Sequence, residues 1–265
     1  MPSRLSRRAL LSGAGAFASA VLARPALGRE PARRIYRYRV DLAILFDLLS
    51  FAFTGTATEE VDHAARRYRV NVAGEGPGLS NRVDASGIIR NGRFLPLQYR
   101  ASHTIRGRES KLTLSWDYGR GVIEYHATSY TLLLGRLRQV DDVVPLPPDR
   151  PVDDVVSAGL NFAANRLEVD AEGHHHTMVV RRARREDEGP DEVASSGYHA
   201  EIVPFRFHVT PEGPDGRLVT SIDMTRWSSW AMARRPARVV FTPDRHVESV
   251  DSPLILGSAI RVKVT

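Results

Sequence analysis

The chain has 265 residues, of which 42% are hydrophobic, and this is enough apolar material for one large β domain or two small ones. The formal charge of +6 includes four arginines and no acid within the first 28 residues, so the rest of the chain carries 33 basic and 31 acidic side chains. This balance argues against a nucleic-acid-binding domain, and the absence of cysteine excludes disulfides, thiol catalysis and thiolate metal sites.

Residues 1–28, MPSRLSRRALLSGAGAFASAVLARPALG, have the features of a signal peptide. A basic start precedes a weakly apolar run, and small residues suit cleavage after Gly28 or, alternatively, after Ala23. Arg7 and Arg8 resemble the twin-arginine export motif, which implies contact with that export machinery; an ordinary secretory signal is the alternative. Both readings predict an exported, periplasmic protein. No segment of the mature chain is apolar for long enough to span a bilayer, so we expect no transmembrane segment there.

Apolar and polar residues alternate along much of the mature chain. The clearest runs are residues 67–72, 111–116, 205–210 and 260–264. Strands of this kind bury one face and expose the other, which is typical of antiparallel sheets. Turn signals rich in Gly, Asn and Asp recur about every ten residues. The sequence therefore predicts a mainly β fold, an antiparallel meander that forms a barrel or half-barrel.

The stretch DASGIIRNGRFLPLQYRASHTI, residues 84–105, shows the pattern in detail. Ser86-Gly87 and Asn91-Gly92 are turn signals, and alternating apolar and polar residues follow the second of them. We interpret this stretch as a hairpin belonging to the scaffold and not as a site.

One segment departs from the strand pattern. The sequence VPLPPDRPVDDVVSAGLNFAANRLEV, residues 144–169, begins rich in proline and then places two aspartates before spaced apolar residues. Aspartates favour a helix N-terminus, so we predict one helix near residues 153–166. Its apolar residues Val155, Val156, Leu160, Ala163 and Leu167 fit one helical face. We expect residues 145–167 to join two strand sets of one domain, residues 29–265.

Three consecutive histidines, His174–His176, form the most conspicuous cluster of candidate metal ligands. Adjacent residues of a strand point to opposite faces, so only His174 and His176 could bind one Zn, Cu or Ni ion. A third ligand would come from His199 or His208. The alternative is that the three are surface or turn histidines. No other cofactor is predicted.

Trp227 and Trp230, in the sequence WSSW, are candidates for contact with a hydrophobic ligand. Tryptophans are also ordinary core residues, and we expect Trp116 to be one. The stretch RRARREDEGPDEVASSG, residues 181–197, is interpreted as a charged, solvated loop.

Four stretches resemble exported bacterial proteins that carry the domain of unknown function numbered 3108. They are YRYRVDLAILFDLLSFAFTGTATEEV, VDASGIIRNGRFLPLQYRAS, VPLPPDRPVDDVVSAGLNF and ARVVFTPDRHVESVDSPLILGSAIRVKV. The chain departs from that family's pattern in the apolar residues 42–46, the histidine cluster and the charged loop. The resemblance implies an exported, barrel-like all-β domain, and it assigns no catalytic residue.

The sequence contains no nucleophile elbow, phosphate loop or zinc-protease signature. The pairs Asp141-Asp142 and Asp153-Asp154 are better explained by capping or solvation than by acid–base catalysis. We therefore expect a non-catalytic protein that binds a hydrophobic ligand or a cell-envelope partner. The alternatives are a metal-dependent enzyme or metal carrier that uses the region of His174–His176, and a purely structural envelope protein.

Overall fold

A computed structural model of the chain describes residues 31–44, 46, 48–131, 133–185, 188–194, 197–232 and 234–265. Pro31–Thr265 forms one compact unit. The predicted signal peptide, with Arg7 and Arg8, lies outside the described residues.

Strands dominate the described part of the chain, which also contains one helix. In chain order they are β1 (Ala32–Ile44), β2 (Leu49–Asp62), β3 (Arg67–Gly76), β4 (Leu79–Arg90), β5 (Arg93–Ile105), β6 (Arg108–Asp117), β7 (Val122–Tyr130), β8 (Leu137–Pro145), β9 (Val152–Asp153), α1 (Val155–Ala163), β10 (Glu168–Val169), β11 (His174–Arg182), β12 (Ala200–His208), β13 (Thr210–Glu212), β14 (Arg217–Ile222), β15 (Ala237–Phe241), β16 (Val247–Pro253) and β17 (Ala259–Val264).

Thirteen strands form one antiparallel sheet in the order β13-β14-β15-β16-β17-β1-β2-β3-β4-β5-β6-β7-β8. The last strand, β17, pairs with β1, so the N-terminal and C-terminal strand sets meet near the middle of the sheet. A smaller sheet contains β10, β11 and β12, with β9 pairing parallel to β11. The predicted fold class, a mainly β antiparallel meander with one helix, is confirmed. The large sheet is not closed, because β13 and β8 are its two edges.

The large sheet curls around the helix and the small sheet. Side chains of β5 and of β16 line one and the same cavity, although six strand spacings separate them in the sheet. In a flat sheet that separation would be about 29 Å. The core accordingly joins residues of both sheets with the helix, for example Tyr99, Val152 and Leu160.

The hairpin predicted for residues 84–105 is present as β4 and β5. Asn91 (φ 53°) and Gly92 (φ 77°) form its two-residue turn, in the left-handed conformation that Asn and Gly tolerate. Ser86-Gly87 is not a turn, contrary to the prediction. It is an irregularity within β4, where the pairing with β5 shifts register. A Cβ on Gly87 would lie 2.5 Å from a ring carbon of Tyr68, so glycine is needed there for close packing.

The helix is shorter than the predicted 153–166, and local hydrogen bonds explain both ends. The Asp154 carboxylate accepts bonds from the backbone N–H groups of Val156 (2.7 Å) and Ser157 (3.0 Å), so Asp154 is the N-cap. At the other end Asn165 adopts φ 56°, and the Arg166 N–H donates to the Asn161 carbonyl. This is the geometry of a Schellman motif, which ends a helix.

The helix has two apolar faces where the sequence predicted one. Val156 and Leu160 pack into the core, and the Asn161 side chain bonds to both the N–H and the carbonyl of Phe94 (2.8 and 2.9 Å). Val155 was assigned to the same face but is 70% exposed and points elsewhere. Leu167 is buried but lies beyond the helix, beside Phe162 in a second cluster. No helix of the described residues is long and apolar enough to cross a membrane.

Candidate functional site

The curled sheet borders an apolar cavity of about 460 Å³, open to solvent, between the helix and the C-terminal strands. This volume lies within the range of about 300–1,000 Å³ found for small-molecule pockets. The lining is contributed by α1, by β5 and β6, by β11 and β12, by β14–β16 and by the loop after β14. Its large apolar side chains include Tyr99, Leu112, Leu114, Phe162, Val179, Phe205, Phe207, Ile222, Met224, Trp227, Val239, Phe241 and Val250.

The second apolar face of the helix forms one wall of this cavity. Val155, Ala158, Gly159 and Phe162 line it, at the spacing i, i+3, i+4 and i+7 that places residues on one helix face. Val155 is 70% exposed. A Cβ built on Gly159 meets no atom within 4 Å, so the space in front of the helix is open. The wall is therefore apolar and is open at Val155 and Gly159, whereas Ala158 and Phe162 are buried.

A second apolar cavity of about 360 Å³ lies on the inner face of the strands around β1 and β17. Tyr36, Tyr38, Val40 and Val262 line it. Val247 lines both cavities, so the two are neighbours inside the curl. The inner face of the sheet thus offers a continuous apolar surface.

Arg181 is the one cation among the residues that line the larger cavity within the described chain. Its Nη2 atom lies 2.6 Å from Oε1 of Glu201, and its guanidinium carbon lies 5.1 Å from the ring centroid of Trp227. Its Nε and Nη1 atoms are buried and have no hydrogen-bond partner. This leaves part of a guanidinium desolvated beside apolar walls, a costly arrangement.

Further arginines surround Arg181. Arg182 and Arg138 both contact the buried carboxylate of Glu188, at 2.7 and 3.3 Å. Arg184 donates to the backbone carbonyls of Glu188 and Thr225. Burial lowers the pKa of Arg184, and the neighbouring guanidiniums of Arg182, Arg138 and Arg181 add to the effect against an opposing contribution from Glu188. Of these four arginines Arg181 alone lines the cavity, which is also lined by the carboxylates of Asp153 and Asp154.

This cluster corrects the prediction that residues 181–197 form a solvated loop. Arg181 and Arg182 belong to β11, and Glu188 is only 1% exposed. The run of charged residues did not indicate that two of its arginines and one glutamate pack together. Residues 186–187 and 195–196 lie outside the described residues.

The paired acids Asp153 and Asp154 fix the helix in place. Asp153 is fully buried and accepts bonds from Arg93 (2.7 Å), Thr177 (2.7 Å) and Asn161 (3.3 Å). Burial raises the pKa of Asp153 to about 6, although Arg93 acts in the opposite direction. Burial also raises the pKa of Asp154. These contacts connect β5, β9, β11 and α1, so the two carboxylates support the cavity wall.

The structure separates the two candidate tryptophans. Trp227 lines the larger cavity and its ring lies 5.9 Å from that of Phe205. Trp230 is not among the lining residues, and its backbone carbonyl accepts a bond from Ile255. Trp116 is buried in the core at 4% exposure. Ligand contact by Trp227 and Trp230 remains a prediction.

The histidines divide between core and surface. His175 packs against Phe162 and Phe207, whereas His174 lies beside the ring of His208, with centroids 5.3 Å apart. Among the described residues, the group with metal-ligand spacing is Asp170, Glu172 and His174, so it includes neither His176 nor His199.

Arg206 occupies the centre of that group. Its Nη2 atom lies 2.6 Å from Asp170, 3.0 Å from Glu172 and 3.0 Å from Nδ1 of His174. Desolvation opposes ionisation of Asp170, but the His174 N–H and the Arg206 guanidinium outweigh it and hold the pKa of Asp170 at about 2. A metal ion would have to displace this guanidinium. The metal site at His174 and His176 stays a prediction.

The chain was compared with protein families, curated proteins and solved structures. No protein-family description matches the chain, and no curated protein does. The chain is similar to the crystal structure of a beta-barrel-like protein of the domain of unknown function DUF1849 from Brucella abortus, at 11% sequence identity and a TM-score of 0.39. The match covers 89% of this chain and 96% of the other. The resemblance to the 3108 family therefore remains a prediction.

Proposed function

We propose that this is an exported, non-catalytic protein of the cell envelope that holds an apolar ligand inside its curled sheet. The observation that carries the proposal is the exposed helix surface at Val155 and Gly159 in a cavity of about 460 Å³. Exposed apolar surface inside a fold is unfavourable in water, and an apolar ligand would remove it from solvent.

The proposal extends to the place of action. A signal peptide with Arg7 and Arg8 would carry the folded protein to the periplasm, where the ligand is an envelope component or another small hydrophobic molecule. Membership of the 3108 family is part of the same proposal. Replacing both arginines by lysine in a secretion reporter tests the twin-arginine route, and unchanged export of the reporter would contradict it.

Gly159 allows a sharp test of ligand binding. A leucine at this position places its side chain in the open cavity, whereas alanine adds only one methyl group and suits a helix better than glycine does. We expect Gly159→Leu to lose bound ligand and Gly159→Ala to keep it.

Native mass spectrometry of protein purified without detergent measures the outcome. The wild type and Gly159→Ala should show masses above that of the polypeptide, and Gly159→Leu should show the polypeptide mass. Repeated preparations of the wild type with no added mass would contradict the proposal.

A metal carrier or metal-dependent enzyme is the second proposal, favoured by the group of Asp170, Glu172 and His174. Elemental analysis of the wild type and of a variant with both His174→Gln and His176→Gln tests it. Loss of a stoichiometric metal and of thermal stability would support a metal centre. Identical metal content and melting temperature in the two proteins would remove it.

A further inference from the structure

The unsatisfied guanidinium of Arg181 indicates what the cavity's ligand carries at one end. Buried polar groups are normally hydrogen-bonded, and a buried charged donor without an acceptor is expensive. Both Nε and Nη1 of Arg181 are in this condition, while Nη2 is bonded to Glu201. Because these two atoms are closed to the cavity as well as to water, a ligand oxygen would reach them only after the Arg181 side chain shifts, and it would then supply the acceptor that the described protein residues do not.

The surroundings of Arg181 favour an anionic oxygen over a neutral one. Arg182 and Arg138 share the carboxylate of Glu188, and Arg184 donates to backbone carbonyls. Among the described residues at this end, guanidiniums outnumber the carboxylates that pair with them. Trp227, stacked on Arg181, covers the guanidinium with an aromatic face and keeps its contacts poorly hydrated.

We infer that the ligand is an amphiphile with an acidic head group, a carboxylate or a phosphate, which binds Arg181 beside Trp227 while its hydrocarbon chain lies against the helix wall. This inference rests on the proposed function and names the ligand class of the same cavity. The charge-assisted hydrogen bonds to Arg181 would orient the amphiphile, and the apolar walls would supply most of the affinity.

Isothermal titration calorimetry of delipidated protein can separate head group from chain. The probes are dodecanoate, dodecyl phosphate and 1-dodecanol, which share one hydrocarbon chain and differ in charge. We expect at least one of the two anions to bind about tenfold or more tightly than 1-dodecanol, the effect of about one charge-assisted hydrogen bond. The stronger of the two identifies the head group.

Three variants make the assignment specific to Arg181. Arg181→Met should lower the affinity for the preferred anion about tenfold and leave that for 1-dodecanol unchanged. Arg100→Met is the matched control, because Arg100 is exposed on the opposite face of β5 from Tyr99 and should change neither affinity. Glu201→Gln removes the carboxylate that competes for Arg181 and should strengthen anion binding.

The possible outcomes distinguish this inference from the proposed function. Equal binding of the anions and 1-dodecanol, or anion binding that is unaffected by Arg181→Met and Glu201→Gln, would overturn the head-group assignment and leave an apolar ligand site. Failure of the wild type to bind any of the three probes would overturn the proposed function itself. A gain in Glu201→Gln cannot arise from misfolding, so it supports the assignment even if Arg181→Met folds poorly.

Discussion

Single side chains with unusual surroundings carry most of the functional information in this protein. Arg181, Arg93 and Asp153 are charged residues within an otherwise apolar interior, and each is held by contacts between distant parts of the chain. Neither ion pair was predicted from the sequence, because Arg93 lies 60 positions from Asp153 and Arg181 lies 20 from Glu201. The chain sequence carries no local signal for pairs formed only when separate strands pack.

The Arg93–Asp153 pair predicts a pH-dependent effect on stability. Removing Arg93 leaves the buried Asp153 carboxylate without its cation, so Arg93→Met should lower the free energy of unfolding by about 3 kcal/mol at pH 7.5. Because the pKa of Asp153 is raised to about 6, protonation relieves much of this penalty below that pH. Denaturant unfolding should show the loss shrinking by about 1 kcal/mol or more at pH 5.

The direction of this pH dependence of stability follows from proton linkage in the wild type. With its folded pKa above the unfolded value of about 3.9, Asp153 contributes stability below that unfolded value, and the contribution is lost as the pH rises through 6. In Arg93→Met the same loss should extend to higher pH. Arg39→Met is the control, because its ion pair with Asp41 is exposed and screened by solvent, so its loss should leave the stability nearly unchanged at both pH values. A penalty that grows towards pH 5 would contradict this account.

At the level of elements, the helix shows what sequence patterns can and cannot predict. Its existence and its aspartate cap were predictable from the order of Pro, Asp and apolar residues. Its end at Ala163 depends on the left-handed conformation of Asn165, and its second apolar face is visible only with the cavity in place. Periodicity shows which residues share an apolar face of a helix. It does not show which of two apolar faces packs against the core.

The cap itself gives a prediction at this level. Asp154→Ala should lower the free energy of unfolding by about 1–2 kcal/mol, because the N–H groups of Val156 and Ser157 lose their acceptor. Asp154→Asn retains an oxygen at the same place and should cost much less. Thermal or denaturant unfolding of both variants measures the difference, and equal destabilisation by Ala and Asn would argue that the charge and not the cap matters.

The hairpins were the most predictable elements. The left-handed Asn91-Gly92 turn and the alternating strands of residues 84–105 are as expected, because turn geometry and alternation are local properties. The register shift at Ser86 was read as a turn, since a glycine in a strand and a glycine in a turn look alike in sequence. Packing of Tyr68 against Gly87 decides between them.

For the molecule as a whole, the pairing of β1 with β17 is the decisive long-range contact. Residues 38–43 pair with residues 259–264, and this ladder joins the two strand sets into one sheet. Alternation predicted both strands but could not predict that they are partners. The open ends of the sheet, β13 and β8, likewise follow from the order of strands and not from their sequences.

This topology predicts a pattern of amide hydrogen exchange. Amides of β1 and β17 lie at the centre of the large sheet and should open only in global unfolding, whereas β13 and the outer edge of β8 should exchange by local fraying. Mass-spectrometric exchange of the mature protein measures this. Protection of β17 no greater than that of β13 would show that the two strand sets are not joined as described.

The interior of the curled sheet is the proposed binding site. A crystal structure of the mature protein grown with 1-dodecanol tests it directly. We predict electron density for the alkyl chain between Val155 and Gly159 of the helix and the side chains of β14–β16. A cavity without the alkyl chain at saturating 1-dodecanol, or a chain bound only on the outer face of the sheet, would contradict the account.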